Sequence, residues 1–75
     1  MLKSVFLGEL RELLQRDGPI EPDMVLRDME EWDSLAIMSC MAFFGKNFNV
    51  KTKISQYKQL DTVSDLITLA GGAIT

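Results

Sequence analysis

The sequence predicts an all-α fold, a small four-helix bundle with three major helices and one short helix. Apolar residues recur at steps of three and four over most of the chain, which is the spacing of one helical face. The 75 residues contain no repeat, no low-complexity tract and no linker, so we expect residues 1–75 to form a single domain. A chain that is 47% hydrophobic and 25% charged has the composition of a soluble globular domain.

The first helix is predicted at about residues 2–16. One helical face carries its apolar residues, which are Leu2, Phe6, Leu10, Leu13 and Leu14. Gly8 inside the helix costs about 1 kcal/mol relative to alanine. Gly18 supplies a helix cap and Pro19 cannot continue a helix, so we expect the first helix to end just before them.

Residues 17–33 are predicted to form a loop that is held against the helices by four apolar residues, Ile20, Met24, Leu26 and Met29. The second helix is predicted at about residues 34–46, because Asp33 and Ser34 are both favoured at helix starts. The apolar residues that then follow at helical spacing are Leu35, Ile37, Met38, Met41, Ala42 and Phe44.

The last third of the chain predicts two further helices. Residues 54–59 are long enough for one short helix, and Phe48 and Val50 can anchor the connection that precedes it. The last helix is predicted at about residues 62–70, because residues 62–65 fit a capping box with aspartate in its last position. Two glycines, which tolerate positive φ, then end the helix.

Composition excludes several classes of function. The chain has no histidine and Cys40 is its only cysteine, which rules out disulfides, thiolate zinc sites and imidazole-based catalysis. No cluster of acids accompanies a nucleophile, so we expect neither an enzyme nor a stable metal site. Cys40 itself is expected to be a small buried hydrophobe within the second helix, and not a reactive thiol.

The charges are distributed unevenly along the chain. Residues 1–33 hold nine acids and four bases, whereas residues 34–75 hold two acids and four bases, for a net charge of −3. The acidic balance argues against nucleic-acid binding. No stretch approaches the roughly 20 apolar residues of a membrane span, and the N-terminal apolar run is too short for a secretion signal. We therefore expect a monomer in the cytoplasm.

Ser34 is the candidate functional residue. A serine in the first turn of a helix lies where free N–H groups and the helix dipole stabilise an anion, typically by about 0.3–1 kcal/mol. Without a neighbouring base its hydroxyl is a poor nucleophile, so another protein must organise any phosphoryl transfer to it. Ser34 is thus predicted to be a substrate of modification, although Asp-Ser-Leu alone is also an ordinary helix cap.

The sequence around Ser34 resembles the acyl carrier protein family, and the resemblance covers nearly the whole chain. It rests on Trp32-Asp33-Ser34-Leu35 opening the second helix, Phe48 closing it, and Leu60-Asp61-Thr62-Val63 leading into the last helix. An amphipathic first helix followed by a long loop agrees with it. The resemblance implies the four-helix bundle of a carrier domain.

The resemblance also implies a cofactor and partners. In that family the serine matching Ser34 receives 4'-phosphopantetheine from coenzyme A through a holo-carrier synthase that uses magnesium. The thiol of this arm carries acyl groups as thioesters between acyl-loading and acyl-using enzymes. By the same resemblance Asp33 helps to place the magnesium and the phosphate transiently, and Leu35 and Met38 form part of the apolar surface that the synthase binds.

The charge near Ser34 bears on this modification. Glu30, Glu31 and Asp33 surround the serine with negative charge, which favours the helix start but opposes a phosphate. We therefore expect a divalent cation or a basic partner surface to assist the transfer.

The chain departs from the family pattern in two places. Carriers of general fatty-acid synthesis usually have acids on the exposed face of the second helix, where this chain has Ala36, Ser39, Gly45, Lys46 and Asn47. A partner that selects for negative charge would lose its steering there, which favours a specialised pathway. The loop also reads Met29-Glu30-Glu31-Trp32, without the glycine that commonly precedes the motif.

Some alternatives remain open at this point. Trp32 is either a contact residue for partners or a cover for the end of the second helix. Four methionines, Met24, Met29, Met38 and Met41, either fill the core or line a cavity for an acyl chain, and core filling is the commoner role. The alternative function is an unmodified interaction module that binds proteins through Trp32 and the second helix. The sequence specifies neither the cargo, acyl or aminoacyl, nor the pathway, for which polyketide-like, lipid, amino-acid and sugar-modifying routes all remain open.

Overall fold

The computed structural model describes all 75 residues and shows the predicted all-α fold. Its four helices are α1 (Lys3–Leu14), α2 (Ser34–Phe48), α3 (Ile54–Lys58) and α4 (Val63–Leu69), and their ends lie within two residues of the predicted positions. A 3₁₀ turn at Leu26–Asp28, which no sequence pattern predicts, interrupts the loop between α1 and α2. None of the helices has the length and apolar character needed to cross a membrane.

The core consists of apolar and aromatic side chains. Its 15 buried residues are Phe6, Leu10, Leu14, Ile20, Leu26, Met29, Ala36, Ile37, Cys40, Phe44, Tyr57, Val63, Leu66, Ala70 and Ile74. The one phenol among them is satisfied, because the Tyr57 hydroxyl shares a hydrogen bond of 2.8 Å with the Thr52 hydroxyl. A core without an unpaired polar group avoids a desolvation penalty of about 1–3 kcal/mol per group.

Phe44 connects three of the helices. Its ring lies 6.0 Å from Phe6 of α1, 5.3 Å from Phe48 of α2 and 6.0 Å from Tyr57 of α3, measured between ring centroids. All three pairs are close to perpendicular, which is the edge-to-face arrangement that aromatic quadrupoles favour by about 0.5–1.5 kcal/mol per pair. Phe44 therefore holds α2 against α1 and α3.

The long loop is held in place as predicted. Ile20, Leu26 and Met29 are buried, and Met24 is half-buried against the core. Backbone hydrogen bonds also tie the loop to the start of α4: the Leu26 N–H donates to the Asp61 carbonyl at 2.9 Å, and the Val63 N–H donates to the Met24 carbonyl at 3.0 Å. The loop is thus an integral layer of the fold.

The predicted glycine cap of α1 is wrong. The helix ends at Leu14, and Gln15 takes the left-handed conformation (φ 55°, ψ 43°) that was expected of Gly18. Leu14 is the last apolar residue on the buried face of α1, so further helical residues would bury no additional apolar side chain. The Gln15 N–H donates to the Glu12 carbonyl and the Arg16 N–H to the Arg11 carbonyl, both at 3.1 Å, which is the Schellman pattern of helix ends.

Helix α2 extends past its predicted end. Helical periodicity predicts Phe48 in the connection, whereas the family resemblance places it at the end of this helix. Phe48 is the last residue of α2, and its ring packs against Phe6, Phe43 and Phe44. The packing of this ring against the core stabilises two helical residues beyond the predicted end. Asn49 then adopts φ 55°, a conformation that asparagine tolerates better than most residues.

The predicted capping interaction of α4 is present. Oδ2 of Asp65 accepts hydrogen bonds from the backbone N–H groups of Asp61 at 2.8 Å and Thr62 at 3.1 Å. The hydrogen bond from Thr62, and to a lesser extent the one from Asp61, lowers the pKa of the Asp65 carboxyl below its ordinary value of 3.8. The ionised carboxylate therefore stabilises the start of α4.

We expect Gln15→Gly to raise the free energy of unfolding by about 1 kcal/mol, because glycine adopts positive φ without the penalty that a Cβ incurs. Urea denaturation monitored by circular dichroism measures the change. Gly18→Ala is the matched control: φ at Gly18 is not positive, and its Cβ would meet nothing closer than 4.0 Å. A loss of stability in Gly18→Ala, with no gain in Gln15→Gly, would restore Gly18 as the cap.

The lowered pKa of Asp65 predicts a loss of stability in acid. A carboxyl with a lower pKa in the folded state stabilises the fold above its unfolded-state pKa, and the contribution disappears as the pH falls through the folded-state pKa. Asp65→Asn should thus be less stable than the wild type at neutral pH, and the gap should close below pH 3.8. Urea denaturation across pH 2–7 tests this. Asp23→Asn, at an exposed side chain without hydrogen bond or ion pair, should match the wild type throughout.

Candidate functional site

Ser34 is the first residue of α2, and Asp33 is its N-cap. Asp33 has extended backbone angles (φ −118°, ψ −176°), and its Oδ1 accepts the Ala36 N–H at 2.9 Å. The Ser34 side chain is exposed, and its hydroxyl makes no hydrogen bond within the chain. The cap thus holds the backbone of Ser34 in place while the hydroxyl stays free for an incoming group.

Two backbone donors accompany this hydroxyl. The N–H groups of Ser34 and Leu35 belong to the first turn of α2, and neither finds an acceptor within the chain. In a helix of 15 residues, such free N–H groups concentrate the positive end of the dipole. The surroundings of Ser34 therefore favour a negatively charged group such as a phosphate.

Ser34 also borders a groove between α2 and α3. The groove has a volume of about 360 Å³ and is lined by Arg27, Trp32, Ser34, Ile37, Tyr57, Lys58, Leu60 and Asp61. Trp32 is half-buried and packs against the core while lining this groove, so both of the roles considered for it are compatible with its position. Four of its eight lining residues are hydrophobic, and three, Arg27, Lys58 and Asp61, are charged.

The negative charge near Ser34 is smaller than the sequence suggests. Arg16 Nη1 donates to both carboxylate oxygens of Glu31, at 3.1 and 3.0 Å, and the two side chains are only 22% and 28% exposed. Partial burial makes such a pair stronger than an exposed one. Of the three acids expected to surround Ser34, Glu31 is neutralised, Asp33 caps the helix, and only Glu30 lacks a partner.

The groove carries one uncompensated positive charge. Arg27 pairs with Asp61 at 3.0 Å, an exposed ion pair of little energetic weight. Lys58 of α3 lines the same groove as Ser34 and forms no ion pair. Lys58 is therefore available to an anion attached at Ser34.

The outward face of α2 is partly apolar. Leu35 is 69% exposed and Met38 is 50% exposed, so both side chains named as partner-binding residues face solvent. Ala36, in contrast, is only 8% exposed, and placing it on the outward face is wrong. The buried stripe runs through Ala36, Cys40 and Phe44 at four-residue steps, and this spacing turns the neighbouring Leu35 outwards.

The methionines divide between two environments. Met29 is buried, and Met24 and Met41 are half-buried against the core, so core filling describes these three. Met38 lies outside, on the exposed face of α2, and core filling does not describe it. The four side chains therefore do not share one environment, as an acyl-chain cavity lined by all of them would require.

Cys40 is buried, as predicted. Desolvation by burial raises the pKa of its thiol to about 12, so the thiolate is essentially absent at neutral pH. No group of three or more histidine, cysteine, aspartate or glutamate side chains is placed to hold a metal ion.

The sequence patterns did not predict two features of the site. These are the Arg16–Glu31 ion pair and the position of Lys58 in the groove that Ser34 also lines. Arg16 and Glu31 are 15 positions apart, across an irregular loop, and no periodic pattern relates them. Lys58 belongs to a different helix from Ser34. In the sequence, Lys58 is only one charged residue of a short predicted helix, and such residues are too common to indicate a functional site.

We expect Asp33→Ala to lower the free energy of unfolding by about 1 kcal/mol, because the Ala36 N–H loses its acceptor. Asp33→Ser should retain most of the stability, since serine is also a good N-cap. Urea denaturation gives the free energies, and hydrogen exchange at the Ala36 amide reports the cap directly. Equal stability of the alanine and serine variants would contradict the assigned role.

Comparison with known proteins adds no relative: no protein-family model, no curated protein and no solved structure matches this chain.

Proposed function

We propose that this chain is an acyl carrier protein whose Ser34 accepts 4'-phosphopantetheine. The observation that carries the proposal is the exposed, unbonded hydroxyl of Ser34 in the first turn of α2, preceded by the capping Asp33. The surrounding pattern Trp32-Asp33-Ser34-Leu35 and the order of four helices support it. When bound, the arm supplies a thiol that carries acyl or aminoacyl groups as thioesters.

In the proposed modification, Ser34 Oγ attacks the phosphate of coenzyme A that bears the pantetheine. The new Oγ–P bond forms as the bridging P–O bond breaks and the adenosine bisphosphate half departs. The serine proton must go to a base, and no base is hydrogen-bonded to Oγ in this chain. A holo-carrier synthase would supply that base and the magnesium, so this chain acts as a substrate.

The residues around Ser34 suit a phosphodiester. The free N–H groups of Ser34 and Leu35 favour its negative charge, and Lys58 lies across the groove without a competing ion pair. Asp33 already accepts the Ala36 N–H, which leaves its Oδ2 for the transient magnesium contact that the family resemblance suggests. The Arg16–Glu31 pair lowers the repulsion that a phosphate meets.

A tethered thiol would allow such a small domain to serve several enzymes. An arm on Ser34 presents its cargo to each enzyme at high effective concentration, without a separate binding step for the cargo. The exposed face of α2 lacks acids, so enzymes that recognise carriers through negative charge gain no steering from it. We therefore place the chain in a specialised lipid, polyketide or aminoacyl pathway, outside general fatty-acid synthesis.

One observation favours a second candidate, an unmodified protein-interaction module. Leu35 and Met38 are exposed on α2, and Trp32, just before this helix, is half-buried; such apolar side chains suit a protein contact. This candidate predicts that the biological function survives Ser34→Ala. The carrier proposal predicts that it does not.

The direct test is to coexpress the chain with a holo-carrier synthase and to measure its intact mass. We expect the mass of one phosphopantetheine group to be added to the wild type and nothing to be added to Ser34→Ala. Ser64→Ala is the matched control, because Ser64 is also an exposed serine in the first turn of a helix, and this variant should be modified normally. A gain that survives Ser34→Ala, or no gain in the wild type, would refute the proposal.

A further inference from the structure

The groove between α2 and α3 contains three charged side chains, and only two of them form an ion pair. Arg27 and Asp61 pair with each other at 3.0 Å, so their charges cancel. Lys58, the last residue of α3, is exposed and takes part in neither ion pair of the chain. Ser34 lines the same groove from the start of α2. The groove therefore carries one uncompensated positive charge opposite an uncharged serine.

Helix α3 is held in the fold by few contacts. It has five residues, and a helix of that length does not form without tertiary contacts. Tyr57 is its only buried side chain, and Ile54 is 40% exposed. At its end, the Gln59 N–H donates to the Gln56 carbonyl at 3.3 Å and the Leu60 N–H donates to the Tyr57 carbonyl at 3.2 Å. Segments with few buried contacts open more readily than a core helix, so one added ion pair should measurably stabilise α3.

We propose that Lys58 pairs with the phosphodiester on Ser34 and thereby fastens α3 to the start of α2 once the arm is attached. This inference rests on the proposed function, because Ser34 brings an anion into the groove only when it is modified. In the unmodified chain, the one acid of the groove, Asp61, is already paired with Arg27, so Lys58 has no partner there. Attachment of the arm therefore stabilises α3, and Lys58 is a positioning residue for the phosphate end of the arm.

Two other interactions have to be distinguished from this ion pair. Arg27 is the second cation of the groove, but a phosphodiester would have to draw it away from Asp61. Arg27 also belongs to the 3₁₀ turn of the loop, so its contact with an anion would not hold α3. Lys58 itself lies in the last turn of α3, where a cation favours the helix dipole whether or not the arm is attached. Only the difference between modified and unmodified protein therefore measures the ion pair.

The test uses the full chain and a probe that needs no synthase. Ser34→Cys places a thiol at the attachment position, and a methanethiosulfonate reagent converts this thiol to a mixed disulfide with release of methanesulfinate. The sulfonatoethyl reagent attaches a negative charge, and the hydroxyethyl reagent attaches a neutral group of similar length. Cys40 is buried, and burial raises the pKa of its thiol to about 12, so only the introduced thiol reacts. Intact mass verifies that each chain carries a single label.

We expect the sulfonate label to slow amide hydrogen exchange at Gln59 and Leu60 about two- to fivefold relative to the neutral label, the range of an exposed ion pair. Both amides are hydrogen-bonded to carbonyls of α3, so opening of α3 exposes them. The difference should disappear in Lys58→Gln and should shrink in about 1 M salt. Lys51→Gln is the matched control: Lys51 is an exposed, unpaired lysine outside the groove, and this variant should keep the full difference.

Equal exchange rates with the two labels would overturn the inference, as would a difference that survives Lys58→Gln or one that Arg27→Gln removes and Lys58→Gln does not. Wild-type protein modified by a synthase should repeat the sulfonate result, with slower exchange at the two amides than in unmodified protein. Mass gain on Ser34 without slower exchange refutes the ion pair and leaves the carrier proposal intact. A sulfonate effect that depends on Lys58, in a chain that gains no phosphopantetheine, refutes the carrier proposal and leaves an anion contact of Lys58.

Discussion

Burial of Phe44 is the constraint on which the rest of the structure depends. Its ring meets Phe6 of α1 and Tyr57 of α3 edge to face, and it can do so only when α2 has one particular rotation about its axis. That rotation turns the neighbouring helical face, with Leu35 and Met38, into solvent. The exposure of Leu35 and Met38 on α2 is therefore a consequence of how the core is packed.

Local interactions then refine what packing allows. The Asp33 cap starts α2 at a defined residue, so Ser34 falls in the first turn with its hydroxyl free and with two unpaired N–H groups beside it. The Arg16–Glu31 pair removes one negative charge from this region. Together these features give the start of α2 free backbone donors and reduced negative charge, both of which the proposed phosphodiester at Ser34 requires.

The distribution of charge links the site to its proposed partners. Acids are concentrated in residues 1–33, whereas residues 34–60 contain lysines and no acids. Of these lysines, Lys58 of α3 lines the same groove as Ser34, beside the Arg27–Asp61 ion pair. If Ser34 carries the proposed arm, the charge around it gives partner enzymes a physical basis for distinguishing this chain from other carriers that bear the same arm.

The sequence by itself determined the helix order, most of the helix bounds, the role of the loop residues Ile20, Leu26 and Met29, and the position of Ser34 at a helix start. Periodicity and capping encode these features, because both act between residues close in the chain. Only the tertiary structure decided that Gln15 ends α1 in place of Gly18, that Ala36 is buried and Leu35 exposed, and that Arg16 and Lys58 lie near the site. These outcomes depend on which helices meet, since contacts between distant segments set helix rotation and charge pairing.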